Sequence, residues 1–228
     1  MIEFLLLDLD DTILDFHKAE HIALSKTLRE LGLEPTEEVL ARYSLINKAH
    51  WERLERKELT RAQVLVGRFD QLFGEYGIAV DPERCAKLYE TNLSIGHYFL
   101  PGAEEALEAL SKKYKLYLVS NGTAVVQAGR LKSANISHYF AKIFVSQEVG
   151  ADKPDKLYFD RVFAQIPGFE PQRAIIVGDS LTSDIQGGIN SGILTCWVNP
   201  QHKQARPDLA PHYEIESISQ LEDLLKTL

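Results

Sequence analysis

With 228 residues, the chain can bury a large core, as one domain or as a domain carrying a sizeable insert. Apolar residues make up 45% and charged residues 25%, ordinary globular values. The 25 Lys plus Arg against 33 Asp plus Glu give a formal charge of -8, which argues against a polynucleotide partner. A small phosphate could still bind, provided donors, lysine or a metal are concentrated at one spot. Cys85 and Cys196 lie far apart outside any CxxC or Cys/His cluster and read as reduced, incidental thiols. No apolar run reaches membrane length and no basic leader precedes Ile2, so the protein is expected to be soluble and cytoplasmic, with no membrane partner.

Phe4-Leu5-Leu6-Leu7 is an apolar run that stops at Asp8-Leu9-Asp10-Asp11-Thr12. It reads as a buried strand delivering carboxylates to its C-terminal rim, where an open α/β sheet places its chemistry. Asp8 and Asp10 are two apart and share one side of an extended backbone, with Asp11 on the other. Like charges held that close need a cation or a shared proton. One such pair could equally be an acidic turn.

The pattern then turns helical. Ile22, Leu24, Leu28 and Leu31 mark a helix from His17 to a stop at Gly32. Thr36 opens a second, with Val39, Leu40, Tyr43, Ile46 and Trp51 on its inner face. Thr60 opens a third through Leu65, Phe69, Leu72 and Phe73, closing near Gly74 or Gly77, and Asp81-Pro82 starts a fourth. Four amphipathic helices on short loops predict a small bundle.

Past Gly96, strands and helices alternate. A helix follows Pro101-Gly102-Ala103, then come strand 116–119, helix 124–134, strand 143–145, helix 156–165, strand 174–177, helix 183–190 and strand 195–198. Residues 200–211 read as irregular and 219–228 as a closing helix. Such alternation implies right-handed crossovers and a parallel sheet covered on both faces. The expectation is an α/β protein: a Rossmann-like parallel-sheet core from residues 1–14 and 100–228, and a helical-bundle cap inserted at 15–99. An insert at that point sits over the carboxyl rim, placed to act as a lid.

Three later strand ends carry polar signatures. Ser120-Asn121-Gly122 offers a hydroxyl, an amide and a glycine that lets backbone approach a ligand. Gly150-Ala151-Asp152-Lys153-Pro154 places a lysine in a loop stiffened by proline. Ile175-Ile176-Val177-Gly178-Asp179 repeats the apolar run ending in aspartate, on a strand that should lie beside the first, and Asp184 follows five residues on. Each alone could be a turn or a solvated loop. Together and in order, with the helical insert after the first, they resemble the haloacid dehalogenase-like superfamily of phosphohydrolases over essentially the whole chain.

The resemblance implies that Asp8 is the nucleophile forming an aspartyl-phosphate, and that Asp10 is the acid for the leaving alcohol and then the base for water. It implies Mg²⁺ between the Asp8 carboxylate, the Asp10 backbone carbonyl and Asp179, with Asp184 behind them as an indirect or water-bridged partner. Ser120, the Asn121 backbone amide and Lys153 would hold the phosphoryl oxygens, and Thr12 would support the first loop. Halide-removing members lack the second aspartate and need no metal, so Asp10 together with Asp179 points to phosphate esters. A phosphate dianion repels a carboxylate, and Mg²⁺ plus Lys153 would supply the positive charge that attack requires.

Finer features resemble the cytosolic pyrimidine 5'-nucleotidase branch: Asp11-Thr12-Ile13-Leu14-Asp15-Phe16, Trp51-Glu52 with Leu59-Thr60-Arg61, Arg68-Phe69, Gln127 with Arg130-Leu131, and Thr195-Cys196-Trp197. That likeness implies a small phosphomonoester, a nucleoside monophosphate, as the partner of a monomer or homodimer. A sugar-phosphate phosphatase or phosphomutase, and an inactive nucleotide-sensing module, remain open beside it. Phe16, His17, Tyr43, Asn47, Trp51 and Arg68 are the candidates for base contact. Helical spacing favours bundle core for Tyr43, Trp51 and Phe69, and solvent for His17.

Overall fold

The computed structural model describes residues 1–228. Its centre is β1 (Phe4–Leu7), whose four apolar side chains are all buried because both faces of the sheet are covered. Around it stand β2 (Lys115–Ser120), β3 (Lys142–Val145), β4 (Ala174–Gly178), β5 (Leu194–Val198) and β6 (Tyr213–Ile215), in the order β3-β2-β1-β4-β5-β6. All pairings are parallel. Leu5 and Leu7 face a cluster that includes Leu107, Leu110 and Leu131 from α5 (Ala103–Ser111) and α6 (Ala124–Ala134). Phe4 and Leu6 face Tyr158, Phe159 and Val162 of α8 (Lys156–Phe163) on the other side. The α/β parallel-sheet fold expected from the alternation is therefore observed, with β4 beside β1.

The chain runs outward from β1 through β2 to β3, then returns to lay β4 on the opposite side of β1. This reversal opens a crevice beyond the carboxyl ends of β1 and β4, where α/β sheets bind ligands. Leu7 pairs with Val177 across that point, and Asp8 N–H donates to the Val177 carbonyl at 2.9 Å.

Four helices fill residues 16–93: α1 (Phe16–Glu30), α2 (Glu37–Glu55), α3 (Arg61–Tyr76) and α4 (Pro82–Leu93). Local chemistry starts each one. Asp15, Thr36, Thr60 and Asp81 accept backbone N–H groups of the first turns, Gln63 completes a capping box with Thr60, and Pro82 occupies the first turn of α4. The helices share a hydrophobic cluster of their own, centred on Tyr43, Phe69 and Tyr89 with ring centroids 5.0 to 5.5 Å apart. Within α1 the inward face is Ala19, Ala23, Leu24 and Leu28; Ile22 is 41% exposed, contrary to the expected pattern. α1 packs chiefly against α4, with the small Ala19 and Ala23 among its buried residues. The helical block joins the sheet where Leu14 bridges Phe99 and Asp15 N–H donates to the Tyr98 carbonyl at 2.7 Å.

Other departures are local. β6 is a three-residue edge strand that carries no pattern of its own. The helix expected over 183–190 is a π-helical turn (Leu181–Ile185) followed by α9 (Gln186–Ser191). A short α7 (Ser146–Val149) follows β3 directly. The closing helix is α10 (Leu221–Leu225) behind a 3₁₀ turn. No helix is long and apolar enough to cross a membrane. Cys85 and Cys196 are both buried and free.

Close approach of α9 to the sheet depends on Gly188. A β-carbon there would stand 2.5 Å from Thr195 Cγ2 and 2.6 Å from Ile176 Cγ2, on two strands that cannot move aside. Gly188→Ala is expected to cost about 1–3 kcal/mol by overpacking, read as a lower urea midpoint at unchanged m-value.

Candidate active site

Asp8 leaves the end of β1 and Asp179 the end of β4, so adjacent strands place them side by side. Asp184 comes back to meet them from the π-helical turn, where Ser180 N–H donates to its Oδ2 at 3.1 Å. Carboxylate oxygens of all three lie within 4.8 Å of one another. Gly178 makes this possible: a β-carbon there would lie 2.2 Å from Asp184 Oδ2. Asp184 thus stands beside Asp8 and Asp179.

One cation faces the cluster. Lys153 is 1% exposed, and its Nζ donates to Asp8 Oδ1 and Asp184 Oδ1, both at 2.6 Å, and to the Val119 carbonyl at 2.8 Å. Asn121 holds its backbone at both ends: Lys153 N–H donates to Asn121 Oδ1 at 2.8 Å and Asn121 Nδ2 donates to the Lys153 carbonyl at 2.9 Å. Burial pushes the Asp8 carboxyl up to about 8, helped by Asp184 and Asp10 and opposed by Lys153. Burial likewise raises Asp179 well above the carboxylate range, with Asp8 and Asp184 adding to it. Burial works against the Lys153 charge, but Asp184 and Asp8 outweigh it and keep the ammonium protonated. Ionised together, three carboxylates against one ammonium would leave an excess of negative charge on hard oxygen donors, and that set fits a hard divalent cation.

Asp10 is held apart from this cluster. Its Oδ2 accepts from Gln127 Nε2 at 2.8 Å and its Oδ1 pairs with Arg130, both residues on one face of α6. Gln127 Nε2 also donates to Ser120 Oγ at 2.8 Å, so one amide ties the Ser120 loop to Asp10. Arg130 is fully buried. Asp11 adopts φ 54°, which reverses the chain and turns its carboxylate to the Phe16 and His17 N–H groups, at 2.9 and 3.4 Å, at the start of α1. Thr12 is fully buried under the loop, its hydroxyl without a protein partner.

The helical block roofs a cavity of about 220 Å³ over these groups, a size suited to a small molecule rather than a polymer. Of the sequence candidates in that block, Phe16, Trp51 and Arg68 line it. Tyr43 lies in the aromatic centre of the bundle, Asn47 is buried behind Arg68, and His17 is exposed beside Asp11. Other residues emerge that the sequence did not assign. Arg61 donates from the start of α3 to the carbonyls of Asn121 (2.8 Å) and Gly122 (3.0 Å) and to Ser146 Oγ (2.5 Å), and pairs with Asp152. Glu55 accepts from Thr182 Oγ1 at 2.8 Å, and burial, aided by Asp184, pushes its carboxyl up to about 7. Gln127 and Arg130 are three apart just after Ser120-Asn121-Gly122, a one-face spacing that could have pointed to them.

The architecture is that of an α/β protein with carboxylates and a buried lysine converging at the switch point of a parallel sheet. Residues 5–198 match the Haloacid dehalogenase-like hydrolase family, and the chain belongs to it. The crystal structure of the HAD-hydrolase YfnB from Bacillus subtilis, bound to magnesium, is similar with a TM-score of 0.94 at 38% identity, covering 98% of each chain. The pyrimidine 5'-nucleotidase PynA of Streptococcus pneumoniae is 38% identical over 98% of this chain and 94% of its own. The pyrimidine 5'-nucleotidase YjjG of Escherichia coli is 30% identical over 98% of this chain and 97% of its own.

Removing the one cation in the carboxylate cluster should be severe. Lys153→Met in the presence of a chelator is expected to lose roughly 3–5 kcal/mol of stability, because buried acids lose their counter-charge. Without the ammonium, the Asp8 carboxyl rises further, so the folded chain keeps a proton that the unfolded chain releases above about pH 4. Stability of the variant therefore falls as pH rises, more steeply than in the parent, and urea titrations at about pH 5 and about pH 8 would read the difference.

Proposed function

We propose that the protein is a Mg²⁺-dependent phosphomonoesterase that hydrolyses pyrimidine nucleoside 5'-monophosphates through an aspartyl-phosphate. The observation that carries this reading is the separation of two acids from one strand exit: Asp8 beside Asp179, Asp184 and Lys153, and Asp10 withdrawn onto Gln127 and Arg130. One acid can then attack while the other handles protons.

In this reading an Asp8 oxygen attacks phosphorus, the bond to the leaving alkoxide breaks, and Asp10 protonates that oxygen. Asp10 then takes a proton from water, the water oxygen attacks phosphorus, and the bond to Asp8 breaks to release phosphate. Lys153 and the Ser120 hydroxyl hold phosphoryl oxygens, with Asn121 fixing the lysine loop. Mg²⁺ would be held by Asp8, Asp179, Asp184 and the Asp10 carbonyl, and supplies charge that offsets the repulsion between dianion and carboxylate. Residues 15–99 act as a cap over a core formed by 1–14 and 100–228, shielding the cavity from bulk solvent while admitting the water that hydrolysis consumes. Phe16 and Trp51 offer the flat apolar surfaces a base requires, and the likeness to PynA and YjjG supports pyrimidine nucleotides.

Phosphate release from UMP, dUMP and dTMP, with ribose 5-phosphate beside them, tests the substrate: the nucleotides should turn over faster, and a preference for the sugar phosphate would overturn the nucleotidase reading. EDTA should abolish turnover and added Mg²⁺ restore it. Asp8→Asn is expected to remove activity with the fold intact by circular dichroism. Asp10→Asn should lower kcat by about 10²–10⁴ for nucleotides and far less for an aryl phosphate, whose leaving group needs no proton.

A further inference from the structure

We infer that Arg68 is the residue that recognises the base, by donating a hydrogen bond to a carbonyl oxygen of the pyrimidine; this rests on the nucleotidase reading above. Arg68 is a buried cation without an anion. Only 3% of it is exposed, yet its hydrogen bonds go to neutral oxygens: Nη1 to Asn47 Oδ1 at 2.8 Å and Nε to the Leu65 carbonyl at 3.3 Å. Nη2 is engaged by neither. The other arginines drawn inward, Arg61 and Arg130, each pair with an aspartate.

The surroundings hold Arg68 rigidly without neutralising it. Rings of Tyr89, Phe69 and Tyr43 stand 5.0, 5.3 and 6.0 Å from the guanidinium carbon. The buried Glu20 carboxylate reaches it only through Asn47, whose Nδ2 donates to Glu20 Oε1 at 2.7 Å. An unpaired charge in the interior is strongly unfavourable unless its remaining donors are used. Arg68 lines the catalytic cavity, so a substrate group can use them.

Two features identify that group as a neutral carbonyl on a flat ring. Phe16, Trp51 and Leu65 give this cavity apolar and aromatic walls. Glu55 and Glu90 line it as well, and acids there, once ionised, would repel a second anionic group on the substrate. A pyrimidine carries carbonyl oxygen on an uncharged ring and meets both conditions. A site built to donate to such an oxygen discriminates strongly against a ligand that lacks it.

The test uses the full-length Mg²⁺-loaded enzyme. The ratio of kcat/KM for dUMP to that for ribose 5-phosphate should fall about 10- to 100-fold in Arg68→Gln and in Arg68→Lys, which keeps the charge but loses the fork. The parent enzyme should discriminate by a similar factor against deoxypyrimidine nucleotides lacking the 2- or the 4-carbonyl oxygen, a measurement that needs no folded variant. An unchanged ratio, or a parent enzyme indifferent to both carbonyl deletions, overturns the inference while leaving the nucleotidase reading in place. A loss confined to 2-phosphoglycolate would also overturn it, by assigning Arg68 to a carboxylate. A parent enzyme that prefers ribose 5-phosphate to dUMP removes the nucleotidase reading itself, and the inference with it.

Discussion

Repulsion among acids at the ends of β1 and β4 is the constraint on which the rest of the structure depends. Parallel pairing in register sets Asp8 and Asp179 side by side, and Asp184 folds back over Gly178 to make a third. Such a group holds together only around positive charge or retained protons. Lys153 brings one charge from the loop after α7, and Asn121, from the loop after β2, clamps the backbone that carries it. Strand order, both loops and the glycine before Asp179 are thus tied to a single point.

Around that point, neighbouring acids are given different work by their surroundings. Asp8 meets an ammonium, Asp10 meets an amide and a guanidinium from α6, and Asp11 turns away to cap α1. β1 ends at Leu7, so Asp8 and Asp10 are not held to one face of a strand, and the left-handed residue at Asp11 turns the chain after them towards α1. Gln127 links the withdrawn Asp10 to Ser120, so displacement of the Ser120 loop would carry to Asp10.

What the sequence disclosed follows from how local each signal is. Strands buried on both faces show as unbroken apolar runs, as in 4–7 and 174–177, and caps are written in the residues that form them, as at Thr36, Thr60 and Asp81. β6 left no trace because three residues at an edge owe their strand to pairing with β5. The π-helical turn arises from Ser180 bonding Ser183 and Asp184, which periodicity does not record. A spacing of five between Asp179 and Asp184 does not say whether the chain folds back; the missing side chain at Gly178 decides it, and only in three dimensions. Nothing local to Arg61 discloses its contacts, since its acceptors lie 60 to 91 positions along the chain.

The placement of positive charge shows how a protein of net charge -8 can receive an anionic ester. Lys153 is matched by Asp8 and Asp184, and Arg130 by Asp10, so these cations chiefly set the positions of the acids that would react. Arg61 is matched by Asp152, and with Glu55 on Thr182 and Lys57 on Asp155 it fastens the turn between α2 and α3 to the core. Each of those seams is satisfied within the protein. Arg68 differs, because rings and a neutral amide hold it in the helical block and no acid pairs with it directly. On the function proposed above, a cation fixed but not directly paired in the roof of the cavity, at a distance in sequence from every catalytic loop, would let the insert select the leaving group while the sheet carries the phosphoryl chemistry.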